Sequence, residues 1–345
     1  MSSCCGNFSA IFRTRSEPVV MHSLIYLPLL FPVPAALAAR PLAARPLAER
    51  LAPWLATWLL TTCALALAAL SCVALGVLVV AGLVRLPLAA LVGDWSPATV
   101  RAGDSVSKIE AAAAGALLVA AVLAGVRMLW RRMRALAAAA FEAACLPGPG
   151  QLVVVDDTVP DAYALPGLPG RVVVSTGMLD ALNDVDRKAM LAHERAHLAC
   201  HHYAFVAAAH LAAACNPLLR PAAAAVAYTV ERWADERAAT TCGDRRQVAR
   251  AVGKAALATT HHPARRRVPE AVLGLLERRR SALHGAGPVP RRVAALLAEP
   301  HTYSPPLNYP ILPLAAAAAV VGASALCAFA AAHDLHLVLK LAGAG

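Results

Sequence analysis

Charge is scarce in this chain. Only 15% of its 345 residues are Asp, Glu, Lys or Arg, 59% are hydrophobic, and the mean hydropathy is +0.58. A soluble domain carries about a quarter of its residues as charges, so the composition excludes a wholly water-exposed globule and points to membrane insertion. Negative charge is the scarcer sign, with 21 Asp and Glu against 32 Lys and Arg for a formal net charge of +11. No recognisable DNA- or RNA-reading motif accompanies the arginines. Basic residues beside a bilayer are accounted for by anionic headgroups, so no nucleic-acid partner is expected. The nine cysteines never fall in C-x-x-C spacing and lie mostly in apolar stretches, which argues against a disulfide framework and for reduced, packed thiols.

Long apolar sequence is what the chain has in abundance. Residues 54–84 and 109–130 read as membrane spans, with Trp54 and Trp58 as interfacial anchors. A further span is expected at 311–332, and one at 21–39 despite Pro28, Pro32 and Pro34. Residues 1–20 read as an unstructured leader, with Met21 as an alternative start. Ser105-Val106-Ser107-Lys108 matches S-x-x-K, but its loop is too short to build the fold that motif serves, so the match is coincidence. The densest positive flanks are Arg40, Arg45 and Arg50, and Arg127, Arg131, Arg132 and Arg134 after 109–130. Placing them inside makes 131–306 cytoplasmic, between a three-helix membrane region at 21–130 and a final helix with a short tail at 307–345.

The chemistry is concentrated at His193-Glu194-Arg195-Ala196-His197, an H-E-x-x-H sequence in a run that reads as helix over 185–199. Asn183, three residues before Asp186, resembles a helix cap. Four residues make roughly one turn, so both histidines project from one face and can grip one metal ion, while Glu194 stands beside it. Two imidazoles and a third ligand leave a zinc position for water, whose proton a carboxylate can accept.

The third ligand is not a metzincin histidine, because position 203 is Tyr. His201 is another turn along, but one straight helix cannot easily deliver three ligands tetrahedrally. Glu231 is the better candidate. The midpoint between His197 and Glu231 is position 214, close to the breaking signals Asn216, Pro217 and Pro221, so a helical hairpin returns Glu231 to the level of the histidines. Asp235, one turn on, is placed to hydrogen-bond the outer nitrogen of a ligating histidine. The stretch 203–230 reads as a buried hairpin or one dipping into the membrane interface, with a full span as the lesser alternative. Leu152–Val155 and Arg171–Ser175 read as strands whose edge could take up an extended substrate, and a helix is expected near 247–260.

His193-Glu194-x-x-His197 with Glu231-x-x-x-Asp235, preceded by Arg171-Val-Val-Val-Ser-Thr-Gly177, resembles the gluzincin pattern of integral-membrane zinc peptidases. That group includes HtpX-like and Ste-type endopeptidases, and the short membrane layout is most similar to the BlaR/MecR type. The resemblance implies a mainly α integral membrane protein of about four transmembrane helices, with a cytoplasmic α+β zincin-like domain inserted between the third and fourth. It implies one zinc ion per chain on His193, His197 and Glu231, Glu194 as catalytic base, Asp235 behind the ligands, and a protein or peptide substrate. Two other readings stand beside it: a signalling receptor that cleaves a cytoplasmic repressor, and a non-catalytic scaffold. Tyr203, Tyr228, His201 and His202 are chemically able to stabilise an oxyanion, and nothing in the sequence chooses among them.

Overall fold

The computed structural model describes residues 49, 51–83, 108–148, 150–260 and 288–298, with 322, 326 and 329. The leader, the expected span at 21–39, positions 105–107, and all of 311–332 but those last three positions lie outside the described residues. Contacts divide the chain into two units: one holds the described residues of 69–122 and 318–345, the other those of 37–68 and 123–317.

Two long helices run through both units. Helix α1 (Pro53–Leu83) is apolar on every side, and α2 (Lys108–Cys145) carries its apolar part at its start. At 1.5 Å per residue they measure about 46 and 57 Å, both longer than a hydrocarbon core of about 30 Å. Helix α2 outlasts the expected 109–130 by fifteen residues because 131–145 is rich in Ala and Arg, strong helix formers, and meets no breaker before Pro147 and Gly148. In the first unit Leu78 and Ala81 of α1 pack on Ala114 of α2. Gly82 faces Ala111 so closely that a Cβ there would collide, the small-residue contact by which apolar helices approach. The outer face of α2 shows Ile109, Leu117, Val119 and Val122 to the surroundings, a face suited to lipid.

The second unit is built on a three-stranded sheet, β1 (Leu152–Val155), β2 (Ala162–Leu165) and β3 (Arg171–Ser175), in the order β1-β3-β2. Strand β3 lies parallel to β1 and antiparallel to β2, with Val173 opposite both Val153 and Tyr163. All five residues of β3 are buried, as a β-branched central strand requires. Side chains alternate between the faces: Val173 packs with Leu165 on Ala139 and Ala143 of α2, while Val172 and Val174 meet Met178, Leu182 and Met190. Full burial of each such aliphatic side chain contributes about 1.5–3 kcal/mol.

After β3 come α3 (Thr176–Ala181) and α4 (Asp184–Ala199). Ser175 caps the first by accepting from the Met178 N–H, and Asn183 caps the second by accepting from Asp186 N–H at 2.8 Å. Helix α4 ends at a corner where His201 takes the left-handed conformation (φ 50), and α5 (His202–Cys215) leaves at 60°. A short 3-10 turn, Pro217–Leu219, then starts α6 (Arg220–Cys242), which stops at Gly243 (φ 74). Helices α7 (Arg245–Thr260) and α8 (Pro288–Leu297) complete the described elements.

The α5–α6 hairpin forms one core through Val206, Ala209, Val226 and Val230, which enclose Leu51, Ala56 and Leu60. Thr57 and Thr229 satisfy each other inside it, their hydroxyls 2.9 Å apart. Helix α4 forms another through Ala189 and Ala192, packed on Ala238, Val248 and Leu296 from α6, α7 and α8. Among the described residues α1 and α2 are long and apolar enough to cross a membrane, and a third crossing would require α4 and α5 to act as one bent span. The architecture is therefore mostly helical with a small sheet and two to three candidate spans.

Candidate metal centre

Helix α4 is held between the sheet and α6, so its H-E-x-x-H face looks across at α6. His193 and His197 are one turn apart, with Nε2 atoms 3.1 Å from each other. Helix α6 returns beside them and brings Glu231 close: its carboxylate oxygens lie 3.7 Å from Nε2 of His193 and 3.8 Å from Nε2 of His197. Ligand atoms of the three residues all fall within 4.8 Å of one another. The donor set is two imidazoles and a carboxylate, as in hydrolytic zinc sites, and bonds of 2.0–2.1 Å in a tetrahedron put donors about 3.4 Å apart. The triangle is of that size, so the residues fit the ion.

Each imidazole is held from behind. Nδ1 of His193 lies 3.0 Å from Oδ1 of Asp235, which is 2% exposed. Nδ1 of His197 lies 3.1 Å from Nδ1 of His202, itself 1% exposed and set against the Trp233 ring. Such partners fix ring orientation and tautomer, leaving the two Nε2 atoms directed at the common centre.

Arg292 of α8 closes the site from the other side. Its Nε and Nη2 donate to the two oxygens of Asp235 at 2.7 and 2.6 Å, and its Nη1 donates to Glu231 at 2.6 Å. The guanidinium is 4% exposed, so these are desolvated, charge-assisted bonds in the forked geometry that only arginine offers. Helix α8 is anchored further by Arg291, which pairs with Glu49 and lies over the Tyr228 ring.

Charge balance explains the titration of the site. Burial disfavours charge on Asp235 and Glu231, but Arg292 and the histidines outweigh it, taking Asp235 down to about 2 and Glu231 well below the usual carboxylate range. Burial likewise disfavours a protonated His193, yet Asp235 and Glu231 beside it push its pKa up to about 9. His197 goes the other way: burial holds it well below 6.5, and its cationic neighbours add to that. Two carboxylates against one guanidinium leave one negative charge, and a proton on His193 neutralises it where a cation would.

Glu194, on the same turn as His193, lines an open cleft bounded by α4, α7 and the start of α8. A carboxylate there can exchange a proton with a group in the cleft. Of the side chains considered for the oxyanion, His201 is exposed at the α4–α5 corner beside Tyr203, and Tyr228 lies under Arg291. His201 does not continue the ligand face, because α4 ends before it. The corner instead turns His202 back onto His197. Arg292 and His202 carry no motif of their own; the one clue to His202 was its place five residues after His197.

No curated protein and no solved structure matches the chain. Residues 127–214 match peptidase family M48, a stretch that contains the sheet, His193, Glu194, His197 and His202 and ends before Glu231. The match is to a metallopeptidase family in general and does not single out the BlaR/MecR type. Over the part that carries its H-E-x-x-H helix, the chain is similar to the peptidases of family M48.

Proposed function

We propose that this protein is a membrane-anchored, zinc-dependent endopeptidase. The observation that carries the reading is the convergence of His193, His197 and Glu231 to within 4.8 Å, with Glu194 beside them at the wall of a cleft. Similarity to family M48 supports a peptidase, and the two long apolar helices support anchoring in a bilayer.

Zinc held by His193, His197 and Glu231 supplies Lewis acidity for the scissile carbonyl and for water. Glu194 accepts the proton of the attacking water and delivers it to the leaving amine nitrogen. Asp235 and His202 keep both ligand imidazoles in the tautomer with Nε2 unprotonated, and Arg292 holds Glu231 and Asp235 ionised. Retention of Glu194 distinguishes this from a structural zinc site, which has no use for a base.

The test pairs zinc analysis of detergent-purified protein with casein or self-cleavage assays of the parent and Glu194→Gln. One zinc per chain is expected in both, with activity down by about 10²–10⁴-fold in the variant. Equal activity in the two proteins would remove the proposed base.

A further inference from the structure

We propose that the root of the candidate span α1 positions the metal ligands: Trp58 steadies His197 through a train of packed rings, and Glu49 steadies Glu231 and Asp235 by docking α8. The inference rests on the zinc reading of the site and gives the membrane-anchoring segment a part in it.

The first route is a run of ring contacts. Trp58 meets the Phe205 ring edge-on, with centroids 4.8 Å apart and planes at 84°. Phe205 meets Trp233 at 5.9 Å, Trp233 meets His202 at 4.8 Å, and His202 meets His197 at 4.9 Å. Every step is at a separation where aromatic rings attract each other beyond their burial. His202 is fully buried and holds Nδ1 of His197, so a shift of the rings behind it is passed to the ligand rather than absorbed. Trp54, one turn earlier on α1 and as exposed as Trp58 at 52%, makes no ring contact among the described residues.

The second route runs through α8. Glu49, just before α1, pairs with Arg291 through its carboxylate, and its carbonyl accepts from Nη1 of Arg232 at 3.3 Å. Arg291 is held at the same time over the Tyr228 ring, 4.2 Å from its centroid. The next residue is Arg292, whose fork holds Asp235 and Glu231. Successive residues of a helix point about 100° apart, so docking Arg291 sets the angle at which Arg292 enters the site. The two routes start together on residues 49–58 and end on different ligands.

The experiment measures zinc affinity of the full chain in detergent by chelator competition, with the visible spectrum of the cobalt-loaded protein as a second reading of ligand geometry. Trp58→Leu should weaken zinc binding about three- to tenfold, the contribution of one edge-on aromatic pair, and alter the cobalt spectrum. Trp58→Phe, which restores a ring, should stay within about twofold of the parent, and Trp54→Leu should match the parent in both readings. Glu49→Arg, which repels Arg291, should weaken binding about threefold, a loss that added salt reduces. Parental affinity in Trp58→Leu or in Glu49→Arg overturns the inference and leaves the zinc site standing. So does a Trp58→Phe as weak as Trp58→Leu, or an equal loss in Trp54→Leu. If Trp58→Leu does not fold, Glu49→Arg decides alone. A parent that binds no zinc overturns both.

Discussion

At the scale of single residues, the site is an exercise in balancing buried charge, and in the proposed zinc centre proton and metal would compete for the same place. His193 in the metal-free protein has its pKa raised from 6.5 to about 9, so its contribution to stability is present below 6.5 and lost as pH rises through 9. Asp235 is depressed from 3.8 to about 2, so its contribution is present above 3.8 and lost as pH falls through 2. His197, held well below 6.5, and His202, lowered to about 4, cost stability as pH falls below 6.5, so chelator-stripped protein should be most stable near pH 6.5, measured as Tm against pH. A profile that keeps rising past pH 9 would contradict the protonated His193. Arg292→Ala takes the guanidinium from buried Asp235 and half-buried Glu231 and should cost about 3–5 kcal/mol with weaker zinc retention, while Arg292→Lys, which cannot fork, should recover only part of it. Urea unfolding of the metal-free variants reads this directly, and an unchanged midpoint would count against the clamp. The histidine pair was readable from the sequence because four-residue spacing on a helix is local geometry. Arg292 was not, because it reaches Asp235 across 57 positions from an arginine-rich segment in which nothing marks the buried one.

At the scale of elements, the decisive feature is the corner between α4 and α5. Helix α4 was readable to within a residue from its Asn183 cap, and the hairpin argument placed a turn near 214 where the structure has Asn216 and the 3-10 turn Pro217–Leu219. Strand β2 was not anticipated: Ala162-Tyr163-Ala164-Leu165 has weak strand propensity and forms because β3 presents a second edge whose backbone groups must be paired. Nor was the corner itself, since a histidine in left-handed backbone has no sequence signal of the kind glycine gives. The conformation costs a non-glycine residue about 1–2 kcal/mol. His201→Gly should accordingly hold or raise Tm, whereas His201→Val, branched at Cβ, should lower stability by about 1–2 kcal/mol. If the corner is what delivers His202 to His197, the valine variant should also bind zinc more weakly than the glycine variant. Equal affinities in a chelator competition would separate the corner from the site.

At the scale of the whole molecule, composition and hydropathy foretold α1 and α2, because long apolar runs need no tertiary information to be recognised. What they did not foretell is that α2 continues past its apolar part and packs Ala139 and Ala143 under the sheet, so one unbroken helix carries both a candidate span and a wall of the core beneath the sheet. Arg127, Arg131, Arg132 and Arg134 lie where that helix leaves its apolar stretch, and for a helix that crosses the bilayer the positive-inside rule predicts a cytoplasmic C-terminal end. Cys145 is the last residue of α2, exposed, and about 22 Å beyond Trp130 at 1.5 Å per residue. In a variant that keeps Cys145 as its only cysteine, a membrane-impermeant maleimide should leave intact cells unlabelled and label inverted membrane vesicles. Labelling of intact cells would place the peptidase segment outside, and the substrates would then have to be sought on that face of the bilayer.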